Sequence, residues 1–384
     1  MEKYLKQLHW QILIAMILAF IVGSYISVES SIYSLVISFG VIFVKLLKMI
    51  TIPLIFTSIL TGITSISNFK KLGRIGFKTI VYYLSTSLFA IIIGLGLTNL
   101  LEPGNSYSQS ENTVKYDYSN LNTPDSTLDI FIRMIPENPI AAAANGNMLS
   151  IIFFTILLGI TIAQAPNNYK TTLTSFFEAL FHVIMRLTQM IIKLSPLGVF
   201  GLIVKTVANS NFELFYSIGK YMLTISAGLF IHLFIVLPIL FLILTKINPM
   251  KHFKAMASAM ATAFSTSSSS STLPVTMKCV KEKVGVSNEV SGFVLPMGAT
   301  VNMDGTALYE CAGVIFISQI LGVELTVTQQ IIVVITALLA SIGAAGIPSA
   351  GLVMIFIVTQ AVGFNNEDVA LIIGAMLAVD RPLD

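Results

Sequence analysis

Three stretches of this sequence set oxygen-bearing or very small residues inside otherwise apolar chain. The first is Ser265-Thr266-Ser267-Ser268-Ser269-Ser270-Ser271-Thr272-Leu273-Pro274. The second runs from Pro296 to Glu310 and carries Asn302 and Asp304 between Gly298 and Gly305. The third is Ser341-Ile342-Gly343-Ala344-Ala345-Gly346-Ile347-Pro348-Ser349-Ala350-Gly351. An acid inside an apolar segment is costly and usually functional. The flanking glycines let the helix unwind there, so Asn302, Asp304 and freed carbonyls offer hard oxygen ligands, which suit Na⁺ as they suit other hard cations. In the third stretch, small residues let bare carbonyls and amides reach a ligand, and Pro348 stops the helix. Pro274 is expected to fix the break in the first. Tyr82-Tyr83-Leu84-Ser85-Thr86-Ser87 adds hydroxyls. Asp380 and Asp384 lie four apart, on one helical face. Asp380 can orient a neighbour there, and Asp384 can meet a ligand's ammonium group.

Each feature has a plainer reading. The serine run is otherwise a low-complexity linker, against which stand its apolar flanks. The small-residue run is otherwise a close helix contact, and Asp304 a buried acid bonded to a neighbouring helix. Serines and threonines such as Ser85 to Ser87 commonly bond their own helix backbone. Asp380 and Asp384 are otherwise solvated acids. Glu310 is the weaker candidate, being read as approaching the outer part of its helix.

The elements that must carry these residues are membrane helices. The chain of 384 residues is 55% hydrophobic and 11% charged, whereas a soluble domain carries about 25% charged residues. Its mean hydropathy of +0.85 agrees. A net charge of +3 from scattered basic residues excludes a nucleic-acid partner. Cys279 and Cys311 read as unpaired packing residues, and Met1 to Gln11 as the approach to a retained helix and not a signal peptide. Apolar segments fall near 9–28, 33–65, 75–101, 148–165, 174–208, 214–245, 287–320 and 367–384. Regions 252–282 and 326–363 are apolar but broken in the middle, and the polar insert Glu102 to Thr127 reads as an exposed loop.

Positive charge sets the orientation. Lys3, Lys6, Lys70, Lys71, Arg74, Lys78, Lys170, Lys246, Lys251 and Lys254 fall on one side; Glu29, Glu102, Glu111, Asp117 and Asp125 fall on the other. The N-terminus is therefore expected in the cytoplasm. Region 252–282 has basic clusters at both ends and must enter and return on that side. Region 326–363 has none and fits entry from the outside. Two hairpins of opposite orientation suggest inverted repeats, 252–320 and 326–384, meeting at the bilayer midplane, a transporter signature. The expected fold is thus an all-α integral membrane protein with eight transmembrane helices and two oppositely oriented re-entrant helical hairpins.

The serine-rich tip ending Thr272-Leu273-Pro274, the run Asn302-Met303-Asp304-Gly305-Thr306, the run Ala345-Gly346-Ile347-Pro348-Ser349-Ala350-Gly351 and Lys48-Met49-Ile50-Thr51-Ile52-Pro53-Leu54 together resemble the dicarboxylate/amino acid:cation symporter family. In order and spacing, the resemblance covers the whole chain. It implies Na⁺-coupled symport of an amino acid, glutamate or aspartate first, by alternating access. Ser268, Ser269, Met303, Thr306, Ile347 and Gly351 would surround the substrate, and Asp384 would hold its amino group. Gly298 and Asn302 would join one Na⁺ site. Thr300, Ser341, Ile342 and Ala344 would form a second, largely through carbonyls. Tyr83, Thr86, Ser87, Asn302 and Asp304 would form a third. It further implies a homotrimer in the plasma membrane, with residues 1–251 mainly scaffold (the third and sixth spans partly in the transport domain) and 252–384 the core of a moving transport domain, the second hairpin as outer gate, and no organic cofactor.

Three departures accompany the resemblance. Ser267 stands where some prokaryotic members have arginine, and Ala344 where threonine is common. The family's last helix continues through an arginine, a threonine, an asparagine and another aspartate. A truncated, non-transporting form is therefore an alternative to the working symporter. The alternatives are a neutral amino-acid or H⁺-coupled carrier of the same family, a cation channel, and an intramembrane serine protease. The protease would need Ser349 paired with His182 or His232, and no histidine lies beside either hairpin tip in sequence.

Overall fold

The computed structural model describes residues 8–65, 69–106, 132, 134–145, 147–209, 213–343, 350–364, 369, 372–373, 376 and 383. Among them every regular element is helical. In order these are α1 (Leu8–Tyr25), α2 (Ser31–Ser65), α3 (Phe69–Leu101), a 3₁₀ turn (Pro103–Ser106), α4 (Pro139–Ala144), α5 (Met148–Gln164), α6 (Asn167–Ile192) and α7 (Ser195–Asn209). They continue with α8 (Glu213–Ile231), a π turn (His232–Val236), α9 (Leu237–Thr245), α10 (Pro249–Thr266), α11 (Ser269–Cys279) and a second π turn (Val280–Val284). The last four are α12 (Asn288–Val301), α13 (Asp304–Ile320), α14 (Val327–Gly343) and α15 (Ala350–Ala361).

Hydroxyls survive in these apolar helices because they return to the helix. Thr57, Thr61 and Thr64 of α2 donate to the carbonyls of Pro53, Thr57 and Leu60 at 2.7, 2.7 and 2.8 Å, the local bonding expected of threonine in a helix. Among the described residues, four helices are long and apolar enough to cross a bilayer: Ser31–Thr64, Ile75–Asn105, Asn167–Ile192 and Tyr216–Thr245. Apolar side chains such as Leu223, Phe230, Ile243 and Leu244 stay exposed on them, as a lipid-facing surface requires. The chain is a multi-pass membrane protein. Cys279 and Cys311 are both free and buried, as expected.

The segment 174–208, read as one span, is instead two helices, α6 and α7, parted at Lys193–Leu194. Pro196 explains it: proline disfavours helical backbone in the residue before it, and is favoured itself in a first turn. Between them, α1, α2 and α7 bury Ala19, Phe43, Leu47, Val199, Leu202 and Ile203. The arms of each broken region, α10 with α11 and α14 with α15, lie side by side. The 11 residues of α11 run on into the five of the second π turn, about 24 Å at 1.5 Å per residue, short of a hydrocarbon core of about 30 Å; α15 is described over 12 residues.

Pro274 does not make the break in the first hairpin; it lies inside α11. The break is at Ser267, whose backbone is left-handed at φ 47°, and Ser268, which is extended and caps α11 by accepting from the Ser271 N–H at 3.2 Å. Serine is a favoured N-cap, so the side chains of the run set its own turn.

Candidate functional site

The run from Gly298 to Gly305 does unwind. Helix α12 stops at Val301, Asn302 and Met303 leave helical geometry, and α13 starts at Asp304. The carboxyl group therefore sits in the first turn of α13, where the helix dipole favours negative charge. Helix α3 runs beside α13 in the same direction. Gly94 gives the Leu308 carbonyl room that a Cβ would fill at 2.9 Å, and farther along the Gln319 amide donates to Thr98 O at 3.0 Å. Two turns before Gly94 on α3 is Ser87, seven residues back and hence on the same face. That register carries Thr86 and Ser87 to Asp304.

Ser87 donates to Asp304 Oδ1 at 2.7 Å, and Thr86 Oγ1 lies 3.2 Å from the same atom. Thr86 also has the Tyr83 carbonyl within 3.1 Å. The amide of Asn302 faces Tyr83 O at 3.3 Å, Asp304 Oδ1 at 3.0 Å and Thr86 Oγ1 at 3.2 Å. With the amide nitrogen turned inward, these three receive a donor. With the amide oxygen turned inward, four oxygens converge with no donor of nitrogen type among them, a set suited to a hard cation. Asn302, Asp304, Thr86, Ser87 and the Tyr83 carbonyl are thus brought together. The Tyr83 hydroxyl goes elsewhere, to Val294 O at 2.7 Å.

Asp304 is not unpaired, as its isolation in the sequence suggested. His232 Nε2 lies 3.0 Å from Asp304 Oδ2, with both side chains nearly buried at 5% and 13% exposure. Helix α8 runs antiparallel to α13, with Tyr221 stacked on Phe316 at 4.5 Å between ring centroids. It ends in the π turn that begins at His232. Sequence reasoning weighed His232 only as a protease residue. The available signal was a lone histidine in an apolar segment six residues before Pro238.

Ser268 is buried, whereas Ser269 is exposed. Met303 is buried and Thr306 half-buried, with the Thr306 hydroxyl 4.0 Å from Met303 Sδ. A Cβ on Gly351 would lie 3.5 Å from Thr306 Cγ2, so the start of α15 meets α13 at the expected place. Ser341 and Ile342 come to the end of α12: Ile342 packs on Tyr83, Met297 and Val301. The hydroxyls of Ser341 and Thr300 return to Leu338 O and Met297 O at 2.9 and 3.1 Å. The Gly298 carbonyl accepts from Asn302 N at 3.1 Å. Ala344, Ile347, Asp380 and Asp384 lie outside the described residues. Glu310, read as nearing the outer part of its helix, is fully buried, and neither carboxyl oxygen has a partner among the described residues.

A model of the sodium:dicarboxylate symporter family matches residues 8–382. The chain belongs to that family. It is therefore a sodium-coupled symporter, as the oxygen cluster on α3 and α13 already suggests. Among its relatives it is 34% identical to excitatory amino acid transporter 3 of mouse (Mus musculus), over 89% of this chain and 74% of the relative. It is also 34% identical to the bovine (Bos taurus) transporter of that name, over 99% and 83%. An excitatory amino acid transporter of Caenorhabditis elegans is again 34% identical, over 89% and 76%.

Proposed function

We propose that this symporter carries an acidic amino acid, glutamate or aspartate, together with Na⁺ by alternating access. The observation that carries the coupling is the cluster in which Asn302, Thr86 and Ser87 meet Asp304 Oδ1 while the Tyr83 carbonyl meets Thr86 and the Asn302 amide. The substrate class rests on the excitatory amino acid transporters among its relatives and on Asp384, a carboxylate suited to an ammonium group. Tyr83, Thr86, Ser87, Asn302 and Asp304 would make one Na⁺ site. Thr300, Ser341, Ile342 and Ala344 would make a second, and Gly298 with Asn302 a third. Substrate would lie among Ser268, Ser269, Met303, Thr306, Ile347, Gly351 and Asp384.

In this reading α10–α11 and α14–α15 are re-entrant hairpins of opposite orientation, which the short second arm of the first supports. They and the α12–α13 segment would move as a transport domain against a trimeric scaffold built mainly from residues 1–251. The second hairpin would be the outer gate. The protein would sit in the plasma membrane with its N-terminus in the cytoplasm. Coupling to H⁺ in addition has one observation in its favour: the buried, unpartnered Glu310, since intramembrane acids mark ion and proton pathways.

The test is uptake of labelled L-aspartate into vesicles containing the purified protein, under an inward Na⁺ gradient. Accumulation above equilibrium that vanishes when choline replaces Na⁺ is the expected result. Uptake indifferent to Na⁺ would overturn the reading.

A further inference from the structure

We propose that His232 is a positioning residue for Asp304, holding the carboxyl group in the orientation that presents Oδ1 to the cation. The inference rests on the reading of Asp304 as a Na⁺ ligand. Its starting observation is how the two carboxyl oxygens are divided. Oδ1 faces Ser87, Thr86 and Asn302, whereas Oδ2 faces the His232 Nε2 at 3.0 Å. The terminal torsion of an aspartate is broad, so neither oxygen has a fixed place unless something fixes the plane. The imidazole is a flat, rigid, nearly buried group and can do so.

The hydroxyls do not fix that plane by themselves, since both lie on Oδ1. A hydroxyl has one proton and two lone pairs. When a cation binds, Ser87 and Thr86 must turn lone pairs toward it, and Thr86 has the Tyr83 carbonyl at 3.1 Å to take its proton. Asn302 must likewise turn its oxygen inward. Thr86 and Asn302 thus redirect donors that would otherwise serve Oδ1, whereas His232 keeps its own on Oδ2. Its second ring nitrogen fits this role. Nδ1 is buried with no partner among the described residues, so a proton there would be an unsatisfied donor. The ring is therefore assigned as the Nε2–H tautomer, donating to Asp304.

The backbone supports the same conclusion. The π turn closes with Leu237 N–H donating to His232 O. It precedes Pro238, which has no N–H and whose ring would crowd the carbonyl four residues back. The widened turn places His232 at the point where α8 crosses the start of α13. Isolated π turns inside helices recur at functional sites, and hydrogen-bond partners behind metal ligands alter metal affinity by about 10- to 100-fold when removed.

The test uses Na⁺ alone as the probe, so it does not depend on the substrate. Melting of the purified protein is followed against Na⁺ concentration, with choline holding ionic strength constant. His232→Leu is expected to raise the half-stabilising Na⁺ concentration by about 10- to 100-fold. His232→Gln, whose terminal amide can place a donor near the Nε2 position, is expected to recover most of it. His232→Asn, whose donor stops short, is not. Unchanged Na⁺ dependence in His232→Leu, or equal shifts in the Gln and Asn variants, would overturn the positioning role. Should the Leu variant fail to fold, the Gln and Asn pair decides alone. Asp304→Asn separates the two levels. If it too leaves Na⁺ dependence unchanged, the ligand reading itself has failed; if it shifts while His232→Leu does not, only the role of His232 has.

Discussion

Gly298 has its α-carbon where Tyr83 brings its hydroxyl: a Cβ there would lie 2.6 Å from Tyr83 Oη and 3.1 Å from Cζ. The contact lets the hydroxyl donate to Val294 O at 2.7 Å, and so pins α3 to α12 about two turns before the break. Because the Tyr83 carbonyl belongs to the oxygen cluster, displacing the ring also disturbs the site. Gly298→Ala should cost about 1–3 kcal/mol, as overpacking does, and raise the Na⁺ concentration needed for uptake. Adding Tyr83→Phe removes the clashing oxygen. The double variant should recover part of the loss in both melting temperature and Na⁺ dependence, a non-additivity expected of residues in contact.

Much of this was legible in the sequence, for physical reasons. Unwinding at Asn302 follows from a glycine on each side of an acid, and the pairing of Thr86 and Ser87 with Asp304 from resemblance. The two broken regions follow from apolar stretches interrupted by small and polar residues. What escaped is what depends on distant contacts. Asp304 looked unpaired because its partner His232 is 72 residues away. Pro274 looked like a helix breaker, yet it lies inside α11, six residues past the Ser268 cap. The split at Lys193–Leu194 left no mark on hydropathy, only the proline at 196.

Asp304→Asn keeps the size of the side chain and removes the charge. Loss of the one charged ligand in the cluster should weaken Na⁺ by tenfold or more, roughly 1.4 kcal/mol for each factor of ten. Uptake of labelled L-aspartate measured against Na⁺ concentration reports it directly. A wild-type Na⁺ curve would remove Asp304 from the site.

Substrate class can be checked by competition. A carboxylate at Asp384 attracts an ammonium group and repels a ligand made only of carboxylates. L-Aspartate should therefore displace labelled L-glutamate far better than succinate does, with L-alanine testing the neutral alternative. Succinate outcompeting aspartate would sink the amino-acid reading.

Glu310 gives a stability prediction of opposite sign. It is fully buried in α13, and neither oxygen has a partner among the described residues. Leaving a buried polar group unsatisfied costs about 1–3 kcal/mol, so Glu310→Met should raise the melting temperature by the equivalent amount. If the acid serves transport, the same variant should lose uptake while gaining stability. A destabilised variant would instead show that Glu310 has a partner that matters to folding.

Ser267 sets the turn between α10 and α11. Its φ of 47° is left-handed, a conformation that costs an ordinary residue about 1–2 kcal/mol, and its N–H donates to Ala263 O at 2.9 Å. Glycine adopts that backbone freely but adds about 0.4–1 kcal/mol of disorder to the unfolded chain. The two effects oppose each other, so Ser267→Gly should stay within about 1 kcal/mol of the parent in stability and keep its transport. Proline cannot reach this φ, since its ring holds the angle near −65°, and it lacks the N–H. Ser267→Pro should therefore displace Ser268, uncap α11 and abolish Na⁺-driven uptake, even where enough protein folds to be purified. Equal transport by the glycine and proline variants would mean that the geometry of this tip is not required for the site.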